Sequence, residues 1–170
     1  MQLLHEVVPN AAAFGVLAEP GFPGVQFIAD LQTAARTLAL QLVVVYGVTD
    51  SDLETAFATF SRQRVGAVLV TQRARTERLV ALAARYTLPA IFPFREQTLA
   101  GGLMSYGVSI GNMYHQVGIY TGRILKGEKP ADMPVEQAVK IELTINMKTA
   151  KALGLTIPET LLATADEVIQ

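Results

Sequence analysis

Few side chains in this sequence belong to types that do chemistry, and their spacing is informative. Two histidines occur, His5 and His115, and neither has a ligand-type neighbour at metal-binding spacing. His115 falls in a helical stretch beside Tyr114 and reads as a packing or surface residue, not a proton carrier. Cysteine is absent, which removes disulfides, thiolate catalysis and sulfur-rich metal sites. Ser105 stands in Ser-Tyr-Gly, outside any G-x-S-x-G elbow, and no histidine is placed to relay its proton. No Walker A motif occurs, and GFPG at 21–24 lacks the dinucleotide pattern. Gly101-Gly102 reads as a tight turn. Asp50 and Asp52 open a helix, where capping accounts for them. No sequence feature calls for a catalytic residue, a metal or a cofactor.

A second group of polar and aromatic residues stands at the ends of apolar runs. These are Glu19 and Pro20, Tyr46, Thr71-Gln72-Arg73, and Phe94-Arg95-Glu96. A carboxylate accepts from an amine, Thr71 and Gln72 both donate and accept, and Arg73 or Arg95 grips a carboxylate bidentately. Phe22, Tyr46, Phe94 and Tyr106 supply an apolar or stacking wall. Each has a plainer reading: a loop acid for Glu19, exposed first-turn residues for Arg73 and Arg75, a local surface pair for Arg95-Glu96, a core lid for Tyr106.

The elements that must position them follow from periodicity. Apolar or β-branched runs predict strands near 12–18, 42–47, 66–71, 89–93 and 103–107. Between them lie helical patterns. Val25 to Leu40 carries Phe27, Ile28, Leu31, Ala34, Ala35 and Leu38 on one side. Leu53, Ala56, Phe57 and Phe60 form a stripe after the Thr49 start, and Leu79, Val80, Leu82 and Ala83 form another over Glu77–Tyr86. Such alternation predicts a three-layer α/β sandwich with a mainly parallel central sheet. In such sheets ligands bind beyond the carboxyl ends of the strands, which is where the second group of residues falls.

Composition agrees. The chain has 170 residues, 51% of them apolar and 17% charged, enough to bury a core. A net charge of −1 gives no electrostatic footprint for nucleic acid. No apolar run is long enough to span a bilayer, and MQLLHEVVPN at 1–10 lacks the basic and apolar regions of a secretory signal. After residue 110 the composition shifts, and every lysine lies between Lys126 and Lys151. Residues 112–125 read as a helix, 140–146 as a half-buried strand, 147–154 as a short helix, and the segment from Pro158 onward as a last helix continuing through Ile169. The division is an α/β ligand-binding lobe at 1–111 and a segment at 112–170 that packs on a partner surface or back on the lobe. Its strand lacks a sheet to join, so homodimerisation is expected, with Val117, Ile119, Tyr120, Ile124, Ile141, Leu143 and Ile145 buried in part between chains.

Several stretches carry a family resemblance: GVLAEP at 15–20, VGAVLVT at 65–71, LPAIFPFREQTLAGGLMSYG at 88–107, and the run from Gly118 to Leu155 that begins GIYTGRILKGEKPADMPVE. TIPETLLATADEVIQ at 156–170 completes them. The chain resembles the bacterial ABC-transporter substrate-binding proteins whose better-known members bind aromatic amino acids. The likeness is to the C-terminal lobe and the segment that returns to the first lobe. It implies non-catalytic capture of a small organic solute, a membrane permease as partner of the intact protein, and a place in the periplasm or cell envelope. It implies ligand contacts at Glu19, Pro20, Thr71, Gln72, Arg73, Phe94, Arg95 and Glu96, with Tyr106 near the hinge. Two stretches depart from the family. EPGFPG stands where many relatives have an asparagine-rich turn, and TQRART stands where many have an acid followed by aromatics. A small α/β enzyme and a stand-alone effector-sensing domain are the alternatives. The first requires a base within reach of a nucleophile, the second a regulatory element.

Overall fold

A computed structural model describes residues 1–21, 24–135 and 140–170. Seven strands form one sheet: β1 (Ala13–Ala18), β2 (Gln41–Tyr46), β3 (Ala67–Val70), β4 (Ala90–Phe92), β5 (Met104–Val108), β6 (Ile141–Asn146) and β7 (Glu167–Ile169). Their order is β2-β1-β3-β4-β5-β6-β7. Pairing is parallel everywhere except between β5 and β6, where Tyr106 lies opposite Leu143. The helices are α1 (Gln2–Val7), α2 (Val25–Thr37), α3 (Asp50–Arg62), α4 (Thr76–Arg85), α5 (Arg95–Leu99), α6 (Ile110–Leu125), α7 (Met147–Ala152) and α8 (Glu159–Thr164).

The two faces of the sheet bury separate cores. On one, Leu53, Phe57 and Phe60 of α3 and Leu79 and Leu82 of α4 pack on Leu17, Val68, Val70 and Phe92. On the other, Leu4 and Val7 of α1, Ala35 of α2, Ala150 of α7 and Leu161 of α8 cover Phe14, Ala67, Ile91, Met104, Leu143 and Ile145. Each large side chain removed from water contributes about 1.5–3 kcal/mol. Gly15 lets Phe60 lie directly on β1, because a Cβ there would come within 2.8 Å of the ring. Thr49 caps α3 reciprocally: its hydroxyl accepts from the Asp52 N–H while the Asp52 carboxylate accepts from the Thr49 N–H.

Three helices end alike without glycine. Ala39, Arg64 and Thr87 take positive φ of 54°, 54° and 49° after α2, α3 and α4. In each turn a 6→1 bond forms, from Leu40 N–H to Ala35, Val65 N–H to Phe60 and Leu88 N–H to Ala83. The chain then enters the next strand.

Differences from the sequence expectation concentrate in three places. Residues 95–99, to which the sequence assigned no element, form α5, whose Gln97 and Thr98 are buried against β5 and β6. The last helix stops at Thr164 instead of continuing, because Ala165 turns to extended backbone and the Asp166 carboxylate accepts from the Leu143 N–H at 2.9 Å, starting β7 beside β6. The strand at 141–146 finds its sheet within the chain. Leu143 and Ile145 are therefore buried against the chain's own core and are not free to bury against a second copy, while Ile141 stays exposed. Phe27, expected on the buried side of α2, is also exposed.

Under α5 the hydroxyls of Thr98, Ser105 and Thr144 and the Gln97 carboxamide oxygen are buried without a protein partner. Ser105 and Thr144 are directly opposite each other across the β5–β6 pair.

Two outcomes follow. Thr87→Gly relieves a β-branched residue of left-handed backbone, which costs roughly 1–2 kcal/mol, against roughly 0.5–1 kcal/mol of added unfolded-state entropy. The net expected gain is about 0.5–1 kcal/mol, read from the urea midpoint. The second concerns pH. The Leu143 N–H, and after it the Lys140 ammonium, holds the Asp166 carboxyl below the usual carboxylate range. The folded pKa is depressed, so this stabilisation is complete above the ordinary value of about 3.9 and disappears as pH falls through the depressed one. Amide exchange at Leu143 should accelerate in that acid window, and in Asp166→Ala it should be fast at every pH.

Candidate functional site

Parallel pairing places the carboxyl ends of β1, β2, β3 and β4 on one edge of the sheet. Glu19 and Pro20 follow β1, Tyr46 ends β2, Thr71, Gln72 and Arg73 follow β3, and Pro93 and Phe94 follow β4. Two hollows open along this edge. The first, of about 380 Å³, lies between Glu19, Pro20 and Tyr46 and the start of α2, where Gly24, Val25 and Ile28 form the far wall. The second, of about 370 Å³, lies between Glu19, Thr71, Gln72, Arg73, Ala74, Pro93 and Phe94. Glu19 borders both. It is partly buried and has no ion-pair partner among the described residues.

The side chains play unequal parts. Gln72 is 2% exposed, and its amide donates to the Gly47 carbonyl at 2.5 Å. Its main-chain carbonyl accepts from the Gln97 side-chain amide at 2.8 Å. The Thr71 hydroxyl donates to the Leu17 carbonyl at 3.2 Å. These residues tie the ends of β1, β2 and β3 and the start of α5 together, so their donors are committed to the scaffold. The Arg73 guanidinium lies over the Phe94 ring, 5.3 Å from its centroid. Tyr46 is half exposed and presents a ring to the first hollow. The α2 helix opens at Gly24 with no side-chain cap, so its first turn faces that hollow with free N–H groups among the described residues.

Three expected site residues lie elsewhere. Arg95 binds Glu167 bidentately, Nε to Oε2 at 2.5 Å and Nη2 to Oε1 at 2.9 Å. Glu167 raises the guanidinium pKa, and Arg95 borders a separate charged recess with Lys140, Glu142, Asp166 and Glu167. Glu96 is exposed in the first turn of α5 and Tyr106 is half exposed on β5, and neither lines the two hollows. Arg75 pairs with Asp50 on α3. Phe22 lies outside the described residues. Val25 and Ile28 of the first hollow and Ala74 and Pro93 of the second were not expected as site residues; Ala74 and Pro93 lie within four residues of a strand end, whereas Val25 and Ile28 come in with α2. Among the described residues, no three His, Asp or Glu side chains are grouped to hold a metal ion, and no helix is long and apolar enough to cross a membrane.

Replacing Gln72 tests the scaffold role. Gln72→Leu leaves the buried Gly47 carbonyl without its donor and should cost about 1–3 kcal/mol in urea unfolding. Gln72→Glu sets an acceptor against that carbonyl and should cost more.

No curated protein sequence matches the chain. Solved structures do. A conserved domain protein from Vibrio cholerae superposes with TM-score 0.81 at 24% identity, over 98% of this chain and 58% of that one. An ABC domain from Streptococcus pneumonia in complex with L-Trp gives TM-score 0.81 at 23% identity, over 99% and 58%. A ligand-free, open substrate binding protein with adhesive properties from Clostridium difficile gives 0.68 at 19%, over 99% and 58%. At these identities the likeness shows the fold, and this chain spans less than two thirds of the length of each. The sequence profile of one family, described as ABC transporter substrate binding protein, matches residues 1–169. The chain belongs to that family.

Proposed function

We propose that this chain supplies one wall of a cleft that captures a small organic solute reversibly, without breaking a bond, for an ABC transporter. Family membership supports solute binding as the class of function. The observation that carries the finer reading is Glu19, a carboxylate with no ion-pair partner among the described residues that borders both hollows. The first is mostly apolar, with Tyr46, Val25, Ile28 and Pro20. The second adds Arg73, whose guanidinium lies over the Phe94 ring, and the Thr71 and Gln72 positions. A ligand with a protonated amine beside an apolar body satisfies Glu19 and fills the first hollow, and Tyr46 offers its ring to the same cation. No step in this reading uses a nucleophile or base. The intact binding protein would deliver its ligand to a membrane permease outside the cytoplasm.

One similar structure holds L-Trp, so an indole series makes a suitable probe. Calorimetry with tryptophan, tryptamine and indole-3-propionate separates amine from carboxylate recognition. Tryptamine and tryptophan should bind, and indole-3-propionate should not. Glu19→Gln should weaken the amines by roughly 10- to 100-fold, the value of a charge-assisted hydrogen bond of about 1.5–3 kcal/mol, and leave the unfolding midpoint unchanged. Preference for the acid, or turnover of any of the three, overturns the reading.

A further inference from the structure

Four residues with polar side chains border the second hollow: Glu19, Thr71, Gln72 and Arg73. The Thr71 hydroxyl gives its proton to the Leu17 carbonyl. Gln72 is buried, and its amide is turned to the Gly47 carbonyl. Arg73 differs from both. It is exposed, its guanidinium lies over the Phe94 ring, and its side chain has no hydrogen-bond or ion-pair partner among the described residues. Its neighbours on this edge are taken, Arg75 by Asp50 and Arg95 by Glu167.

Stacking leaves a guanidinium its chemistry. The aromatic ring covers one face, while the N–H donors stay in the plane, in the fork that matches a carboxylate. Glu19 borders the same hollow, and the two opposite charges form no ion pair with each other. Arg73 therefore bears on what Glu19 accepts. A ligand amine that reaches Glu19 comes to a hollow with a second cation on its border, and like charges repel. A ligand that also carries an acid group turns that repulsion into a second attachment.

We propose that Arg73 is the specificity-determining residue of the second hollow: it grips a carboxylate or similar planar oxyanion on the same ligand whose amine Glu19 holds, and so selects dipolar solutes over simple cations. The proposal rests on the Glu19 reading above and adds the second attachment to it. Phe94 is the positioning residue, because its ring sets the plane in which the fork lies. The turn that carries Arg73 is held on both sides. Gln72 is tied to Gly47 and α5, the Thr76 hydroxyl donates to the Arg73 carbonyl at 3.1 Å, and Arg75 pairs with Asp50. Arg73 also lies in TQRART at 71–76, one of the two stretches in which this sequence departs from the family it resembles.

Calorimetry of the 170-residue chain with tryptophan and tryptamine tests it, since the two share the indole and the amine and differ by the carboxylate. The wild type should bind tryptophan more tightly, by roughly 10- to 100-fold. Arg73→Met should move the two ligands in opposite directions. Tryptophan should weaken by roughly 10- to 100-fold, and tryptamine should tighten by roughly 2- to 5-fold as the like charge is removed. Arg73→Lys keeps the charge without the fork, so it should restore part of the tryptophan affinity and none of the tryptamine gain. Phe94→Leu should weaken tryptophan less than Arg73→Met does. The urea midpoint of the Arg73 variants should stay at the wild-type value. Equal wild-type affinities for the two ligands overturn the proposal. So does an Arg73→Met variant that weakens both by the same factor, which is the result expected if Arg73 serves an acid elsewhere in the protein. In either case the Glu19 reading survives if Glu19→Gln still weakens both amines. Binding of neither ligand at millimolar concentration overturns both.

Discussion

Parallel pairing of β1 with its neighbours on both sides is the constraint on which the site depends. It sends β2, β1, β3 and β4 out of the sheet on the same edge. Once that edge exists, the residues after each strand have no choice but to meet. Gln72 then stops the edge from fraying: it receives from α5 through its carbonyl and gives to Gly47 through its amide. The strand ends beneath Glu19 are tied by hydrogen bonds, and a preformed floor reduces what a ligand must spend in ordering its own site.

Much of this architecture was legible in the residues. The β-branched runs marked five strands to within a residue or two, since a strand covered on both faces needs an unbroken apolar run. Glu19, Tyr46, Arg73 and Phe94 were legible as edge residues by position alone. Other features were hidden for physical reasons. The five residues of α5 are too few for a period to show, and its buried faces are Gln97 and Thr98, which read as surface. The Arg95–Glu167 pair could not be read because its members lie 72 residues apart. The helix stops carry Ala39, Arg64 and Thr87, none of which announces a left-handed turn. The final strand was masked by the helical run before it, and only the bond from Leu143 to Asp166 explains its start.

The segment after residue 110 divides in a way that composition did not show. Its strands, α7 and α8 extend the sheet and seal the second core, whereas α6 contributes to neither. Apolar content therefore marked two different things in one stretch. In β6 it marked a core position already filled by the chain itself, and in α6 it marked a surface outside both cores.

The unpartnered hydroxyls beneath α5 bear on how the sheet responds to force. From β2 to β4 the strands are locked by aromatic rings on one face, Phe57, Phe60 and Phe92 among them. At the β5–β6 boundary the direction of the strands reverses, and on the α5 side the facing side chains are Ser105 and Thr144, which exchange no bond. The line is nonetheless held by five residue pairs, more than any parallel pairing except β1–β2, and by the buried row of Met104, Leu143 and Ile145 on the opposite face. A load applied through the tail is therefore passed on to β5 and the rest of the sheet, not absorbed where the strand direction reverses.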